Sequence, residues 1–143
     1  MANVIPFTFR GALFSGTHNF ASGGNTFRIA LYTGSIASVY TTSSTVVSAT
    51  NEVSTGGGSN YTRQALSSQA VASSTAVATV DFGDSTWSSA TFTAAFAAIY
   101  NDDQGDKLCV VLDFGGDKTC TNGTFKITYP DPSTPANAII SMS

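Results

Sequence analysis

The sequence predicts one mainly β domain over residues 1–143. Its expected form is a β-sandwich or jelly roll of about seven or eight short antiparallel strands, with a short N-terminal helix and a long loop or arm at residues 34–60. Three observations carry that prediction. Short runs of β-branched and aromatic residues recur along the chain, with Gly, Asn, Asp or Pro turn signals about every 8–12 residues. The 143 residues suit a single domain, long enough to bury a core without disulfides or a metal. The composition is 42% hydrophobic and 11% aromatic but only 10% charged. Ser and Thr, 39 in all, take the polar role that charge fills in an average domain.

The elements follow in order. Phe7, Phe9, Leu13 and Phe14 read as a short helix that docks on a sheet, with Pro6 at its first position and Gly16 just past its end. Residues 18–26 are rich in Gly, Ser and Asn and form a loop. Phe27, Ile29 and Leu31 alternate with Arg28, Ala30 and Thr33 as a half-buried strand. Residues 34–60 are poor in apolar side chains and carry Gly56-Gly57-Gly58. They read as a protruding loop or flexible arm, with short strands at Val46-Val47 and Glu52-Val53. Extended structure resumes at residues 61–66 and 76–82, and Gly83-Asp84-Ser85 turns the chain toward Trp87. The Ala-rich stretch 92–100 fits helix or strand, and the turn residues at 101–106 favour a strand at Ala97-Ala98-Ile99-Tyr100. Residues 107–114 are the most continuous apolar run, suited to a strand buried on both faces. Gly115-Gly116 and Asn122-Gly123 bracket a return into the alternating residues 125–129. Pro130, Pro132 and Pro135 then break the chain before a last strand at 138–142.

Charge and cysteine usage exclude several functions. Six Lys+Arg against nine Asp+Glu give a net charge of −3 and a pI near 4.7. The cations Arg10, Arg28, Arg63, Lys107, Lys118 and Lys126 are scattered, unlike a phosphate-binding footprint. No apolar run approaches the roughly 20 residues that span a bilayer. The first residues lack a charged leader and an apolar signal core, so cytoplasmic synthesis is expected. Cys109, Cys120 and the single His18 are too few for a zinc site. The cysteines read as free thiols, with a disulfide between them left open.

Candidate chemistry is sparse. Gly57-Gly58-Ser59-Asn60-Tyr61 approaches a nucleophile elbow but lacks the final glycine and the strand–turn–helix setting. His18, the only base available to a triad, reads as a solvated or capping loop residue. Asp102, Asp103 and Asp106 gather carboxylates without calcium-loop spacing and read as an exposed hairpin turn. Asp81 with Asp84, or Asp113 with Asp117, would need a cleft and one raised pKa to act as a glycosidase pair. Asn60-Tyr61-Thr62 and Asn122-Gly123-Thr124 match the glycosylation pattern by chance. Trp87 with Tyr32, Tyr40, Tyr61, Tyr100 and Tyr129 would make a sugar-stacking platform if exposed, whereas a lone tryptophan is expected in the core. Nothing here demands a reaction, a metal or a cofactor, so a non-enzymatic role is expected.

Taken in order, several segments resemble small virion proteins of tailed bacteriophages. They are the Phe-rich start ending in Leu13-Phe14-Ser15-Gly16, the strand Phe27-Arg28-Ile29-Ala30-Leu31-Tyr32, and Glu52-Val53 leading through glycines to Tyr61-Thr62-Arg63. Trp87, Ala97-Ala98-Ile99-Tyr100-Asn101, Leu112-Asp113-Phe114-Gly115-Gly116 and Asn122-Gly123-Thr124-Phe125 complete the pattern. At Tyr61-Thr62-Arg63, Asn60 stands where a Gly-Tyr-x-Arg pattern has glycine.

The resemblance implies a virion structural protein, foremost a capsid decoration or cement protein on the shell exterior, made in the host cytoplasm. Its implied partners are the major capsid protein and neighbouring copies of itself, with no nucleic acid, membrane or cofactor. A tail, collar or fibre-associated role is the next reading, and a carbohydrate-binding module the third. On the cement reading the contact residues are Phe7 and Phe9 at the N-terminus, with Val46, Val47, Val53, Gly56, Gly57 and Gly58 of the arm. An acidic chain suits the capsid exterior better than contact with packaged DNA.

Overall fold

Alternating and continuous apolar runs give a mainly β chain in the computed structural model, which describes residues 3–74, 76–130 and 138–142. Helix α1 spans Phe7–Phe14, and strands follow at Phe27–Tyr32 (β1), Gln64–Ala65 (β2), Ala70–Ser74 (β3) and Val77–Asp81 (β4). Ser85–Asn101 (β5), Lys107–Ile127 (β6) and Ile140–Met142 (β7) complete the set. All pairings are antiparallel, in a four-stranded sheet of order β2-β1-β5-β6 and a three-stranded sheet of order β3-β4-β7. Pro132 and Pro135, read as breakers, lie outside the described residues, as do Met1 and Ala2.

Two of the strands are not short. β5 runs for 17 residues and β6 for 21, paired from Ser85↔Ile127 to Asn101↔Lys107. Gly115-Gly116 therefore does not turn the chain back. The register passes from Phe96↔Asp113 to Ala94↔Lys118, so β6 accommodates extra residues in a bulge. Gly115 at φ 72° and Gly116 at φ 130° take backbone conformations that a side chain disfavours. β5 is strand throughout its Ala-rich part, because Ala94, Ala95, Ala97 and Ala98 are all buried between neighbours on both faces.

Where β1 pairs with residues 96–101 of β5 and residues 108–111 of β6 lie alongside, the large sheet is buried on both sides. On one face Phe27, Ile29, Leu31, Ala97, Ile99 and Val110 join a core that also holds Phe9 of α1, Val80 of β4 and Ile140 of β7. On the other face Ala30, Tyr32, Phe96, Ala98, Tyr100 and Val111 pack with Ile36 and Tyr40. β1 is thus buried on both faces instead of one, with only Arg28 partly accessible.

Residues 36–47 supply this second cover and Val53 packs into the first core, which corrects the expectation of a protruding arm at residues 34–60. Ile36, Tyr40 and Val53 are buried. Val46 bridges Lys107 and Glu52 bridges Tyr32, where short strands were expected. The covered face carries Ala30, Ala95 and Ala98 beside Tyr32, Phe96, Tyr100, Leu108 and Val111. Tyr32 and Tyr40 are satisfied internally: Tyr40 Oη donates to Tyr32 Oη at 2.8 Å, and Tyr32 Oη donates to the Ser48 carbonyl at 2.6 Å. The Gly-Tyr-x-Arg departure is also accommodated. Asn60 adopts φ 53°, the left-handed conformation a glycine would take, and its Nδ2 donates to the Ser89 carbonyl at 2.8 Å.

Candidate functional site

Helix α1 is built as expected at its C-terminal end and one residue off at its start. Pro6 is the N-cap, extended at φ −60° and ψ 144°, instead of the first helical residue. Past the C-cap Ser15, Gly16 N–H donates to the Leu13 carbonyl and Thr17 N–H to the Ala12 carbonyl. That pair of bonds is a Schellman closure, with Gly16 at φ 70°. Helical spacing then sorts the apolar side chains onto two stripes. Phe9 and Leu13 face the core. Phe7 and Phe14, seven residues apart, face outward at 53% and 87% exposure.

Beside the inward stripe lies a groove of about 400 Å³, bounded by α1, the loop through His18 and Phe20, and strands β3, β4 and β7. Its walls include Phe9, Leu13, Phe20, Val71, Val80 and Met142. Val71 and Met142 remain about half exposed, at 55% and 50%. No Asp, Glu, Lys or Arg lines it among the described residues.

His18 also lines this groove and is buried, so it is neither solvated nor a cap. The Asn19 backbone N–H donates to Asn25 Oδ1 at 2.8 Å, which fixes that amide. Asn101 Nδ2 donates to the same oxygen at 3.1 Å and approaches His18 Nδ1 at 3.0 Å. Nδ1 is therefore the acceptor, and the neutral ring carries its proton on Nε2, which is buried without a partner. Burial, then the nearby Lys107 charge, lowers the His18 pKa below its ordinary 6.5. Cys109 Sγ lies 4.0 Å from Nδ1, and burial pushes that thiol up, so no thiolate forms to stabilise an imidazolium.

Because the unfolded chain takes up this proton first, the stability involved is complete above pH 6.5 and is lost as pH falls toward the folded value. Urea unfolding of wild type should lose at most about 1.4 kcal/mol per pH unit from this group below its unfolded pKa. His18→Asn should lack that share of the slope. Parallel pH curves for the two proteins would contradict the assignment.

The structure separates the residues expected to make contacts. Phe7 and Val46 are exposed, at 53% and 49%. They lie near one another through the 42–45 stretch, since Phe7 N–H donates to the Thr42 carbonyl and Thr8 Oγ1 to the Ser44 carbonyl. Val47 is half-buried, its N–H donating to the Asp106 carbonyl. Phe9 and Val53 belong to the core, 2% and 5% exposed, and offer no contact surface in this fold. Gly56, Gly57 and Gly58 form an exposed turn. Phe14, Leu13, Val71 and Met142 were not singled out for contact. The usable signal for Phe14 was its seven-residue spacing from Phe7, on the stripe opposite Phe9 and Leu13.

Several residues of the candidate chemical constellations make local bonds in the fold. Ser59 Oγ donates to the Ser54 carbonyl at 2.6 Å and closes the glycine turn. Asp103 Oδ2 accepts from Thr26 N–H at 2.7 Å, and Asp102 Oδ2 pairs with Arg28 Nε at 3.0 Å, fastening the β5–β6 turn to β1. Among the described residues no cluster of His, Cys, Asp and Glu could hold a metal ion. Asp84 pairs with Lys126 at 2.8 Å, and that contact holds its carboxyl below the usual range, opposite to what a general acid needs. Asp113 and Asp117 both border a hollow of about 180 Å³, and Asp113 Oδ1 accepts from Gly115 N–H within the bulge. Cys109 and Cys120 are free thiols. Trp87 is 2% exposed, so no sugar platform forms around it.

Compared with protein-family models, curated proteins and solved structures, the chain matches none.

Proposed function

We propose that this chain is a non-enzymatic structural protein of a tailed-phage virion, a decoration or cement protein that sits on the outer shell and bridges major capsid subunits. The observation that carries this reading is the outward apolar surface of Phe7, Phe14 and Val46, which a free monomer has no reason to keep exposed. Low charge elsewhere supports it, since the centres of protein interfaces are depleted of charged residues. The net charge of −3 suits the exterior over contact with packaged DNA. The fold reading behind it is a β-sandwich, supported by the ring contacts of Phe27 in β1 with Phe20 and with Phe82, the residue after β4. Neighbouring copies are further partners, and binding stabilises the shell by mass action without any chemical step.

Particles lacking the protein should lose integrity at lower temperature than complete ones. Adding the purified chain back should restore them, and Phe7→Ser should weaken the restoration several-fold while leaving the fold intact. Particles equally robust with and without the chain would overturn the proposal.

A further inference from the structure

Strand β6 is an edge of the four-stranded sheet, and among the described residues β5 is its only strand partner. The chain covers the outer side of the first half of β6 itself. Leu108 N–H donates to the Thr45 carbonyl at 3.0 Å, Val4 and Val111 exchange backbone bonds of 2.9 and 2.8 Å, and Asp113 N–H donates to Asn3 Oδ1 at 2.8 Å. Beyond the Gly115-Gly116 bulge this cover stops. Along residues 117–121 no described residue pairs with the outer backbone, and all but the half-buried Cys120 are exposed. A hollow of about 470 Å³ lies along the same stretch, and each lining residue described belongs to β6. Phe114 and Phe125 supply aromatic lining, and Lys118 supplies a positive charge without an ion pair among the described residues. We propose that this edge docks a short extended segment of a partner protein, with an apolar side chain for the hollow and acidic residues for Lys118.

An open edge presents unpaired N–H and C=O groups that template a further strand. Strand addition draws affinity from main-chain bonds and specificity from pockets that take alternate side chains, and this surface has both parts. The same edge already accepts extended backbone from its own chain at Val4 and Val46. Charge sets the chemistry of the segment. Lys118 lines the hollow together with Lys126, which is shared with Asp84, and no Asp or Glu lines it among the described residues. The segment is short because Gly115, Gly116 and Asn122, at φ 72°, 130° and 47°, interrupt the regular edge on either side. Those interruptions also keep copies of the chain from stacking edge to edge. A protein that bridges two capsid subunits needs two contact surfaces. This one is separate from Phe7 and Val46, since Val46 pairs at the Lys107 end of β6. The identity of the partner rests on the virion reading, whereas the docking edge is tested without any particle, so the two fail separately.

Nuclear magnetic resonance of the labelled full-length chain, titrated with the blocked peptide acetyl-Glu-Val-Phe-Val-Glu-amide, tests it. The peptide should shift the amide signals of residues 117–121 and the ring signals of Phe114 and Phe125, saturably and in fast exchange. Lys118→Glu, at an exposed position, should weaken binding about fivefold with the melting temperature unchanged. The same peptide methylated on every backbone nitrogen should shift none of these signals, because it cannot donate to the edge. Wild-type signals that stay fixed up to the solubility of the peptide would overturn the docking edge. So would equal binding of the methylated peptide, which removes main-chain pairing, or unchanged affinity in Lys118→Glu, which removes the acidic preference. Shifts of the same amides with protein concentration alone would give the edge to a second copy of the chain and overturn the partner assignment.

Discussion

Trp87→Ala should lower the unfolding free energy by about 3–5 kcal/mol, the range for removing a fully packed tryptophan. The indole is 2% exposed and sits among Tyr61, Phe92 and Phe125, with ring centroids 6.4, 6.4 and 6.0 Å away. Its Nε1–H donates to the Thr62 carbonyl at 2.8 Å, so truncation leaves both a cavity and a buried carbonyl without its donor. These two costs can be separated. Trp87→Phe keeps an aromatic ring in the space and loses chiefly the hydrogen bond, so it should cost about 1–3 kcal/mol. Urea unfolding of both variants checks the pair of values. A Trp87→Ala protein of wild-type stability would mean that the indole is not core, and would return it to the candidates for ligand contact.

Glu52→Ala should cost about 2–4 kcal/mol and should loosen the cover over the second face of the large sheet. Arg63 grips this carboxylate with two bonds, Nε to Oε1 at 2.8 Å and Nη2 to Oε2 at 2.7 Å. Tyr61 Oη also donates to Oε1 at 2.8 Å, while accepting the Leu31 N–H at 3.0 Å. The guanidinium in turn lies 5.4 Å from the centre of the Tyr100 ring. Removing one partner of a fully buried pair costs about 3–5 kcal/mol. The side chains here are 28% and 15% exposed, and residual solvation reduces the penalty. Arg63→Ala should cost a similar amount, and the double variant clearly less than the two single losses together. Hydrogen exchange should quicken at Val53, whose N–H donates to the Leu31 carbonyl beside this network. Additive losses in the double variant would show that the two side chains act independently.

Local signals were legible where one segment decides its own conformation. The helix ends at Gly16 with a closure that Leu13-Phe14-Ser15-Gly16 already suggested, and β1, β4 and the start of β6 follow their apolar patterns. Features that depend on a distant partner were not. Gly115-Gly116 looks the same locally in a turn and in a bulge; only its pairing with Ala94 and Phe96 of β5 distinguishes them. Residues 34–60 looked too polar to fold down, because sequence does not reveal which sheet face lies beneath Ile36 and Tyr40. Glu52 and Arg63 were both noticed, yet nothing in the eleven-residue separation announces a shared salt bridge. His18 looked solvated among Thr17 and Asn19, but Asn25 and Asn101 arrive from elsewhere to hold it. For contact residues, the N-terminal and arm segments led to Phe7 and Val46 on the surface and to Phe9 and Val53 in the core.

Cryo-electron microscopy of the virion that the proposal implies is the most direct test of the proposed function. The expected result is density for the chain on the capsid exterior, touching several major capsid subunits, with the Phe7 and Val46 surface at the contact. Density confined to the tail or neck would contradict the cement role and transfer the protein to the tail-associated reading. A particle without the chain would contradict the virion assignment altogether.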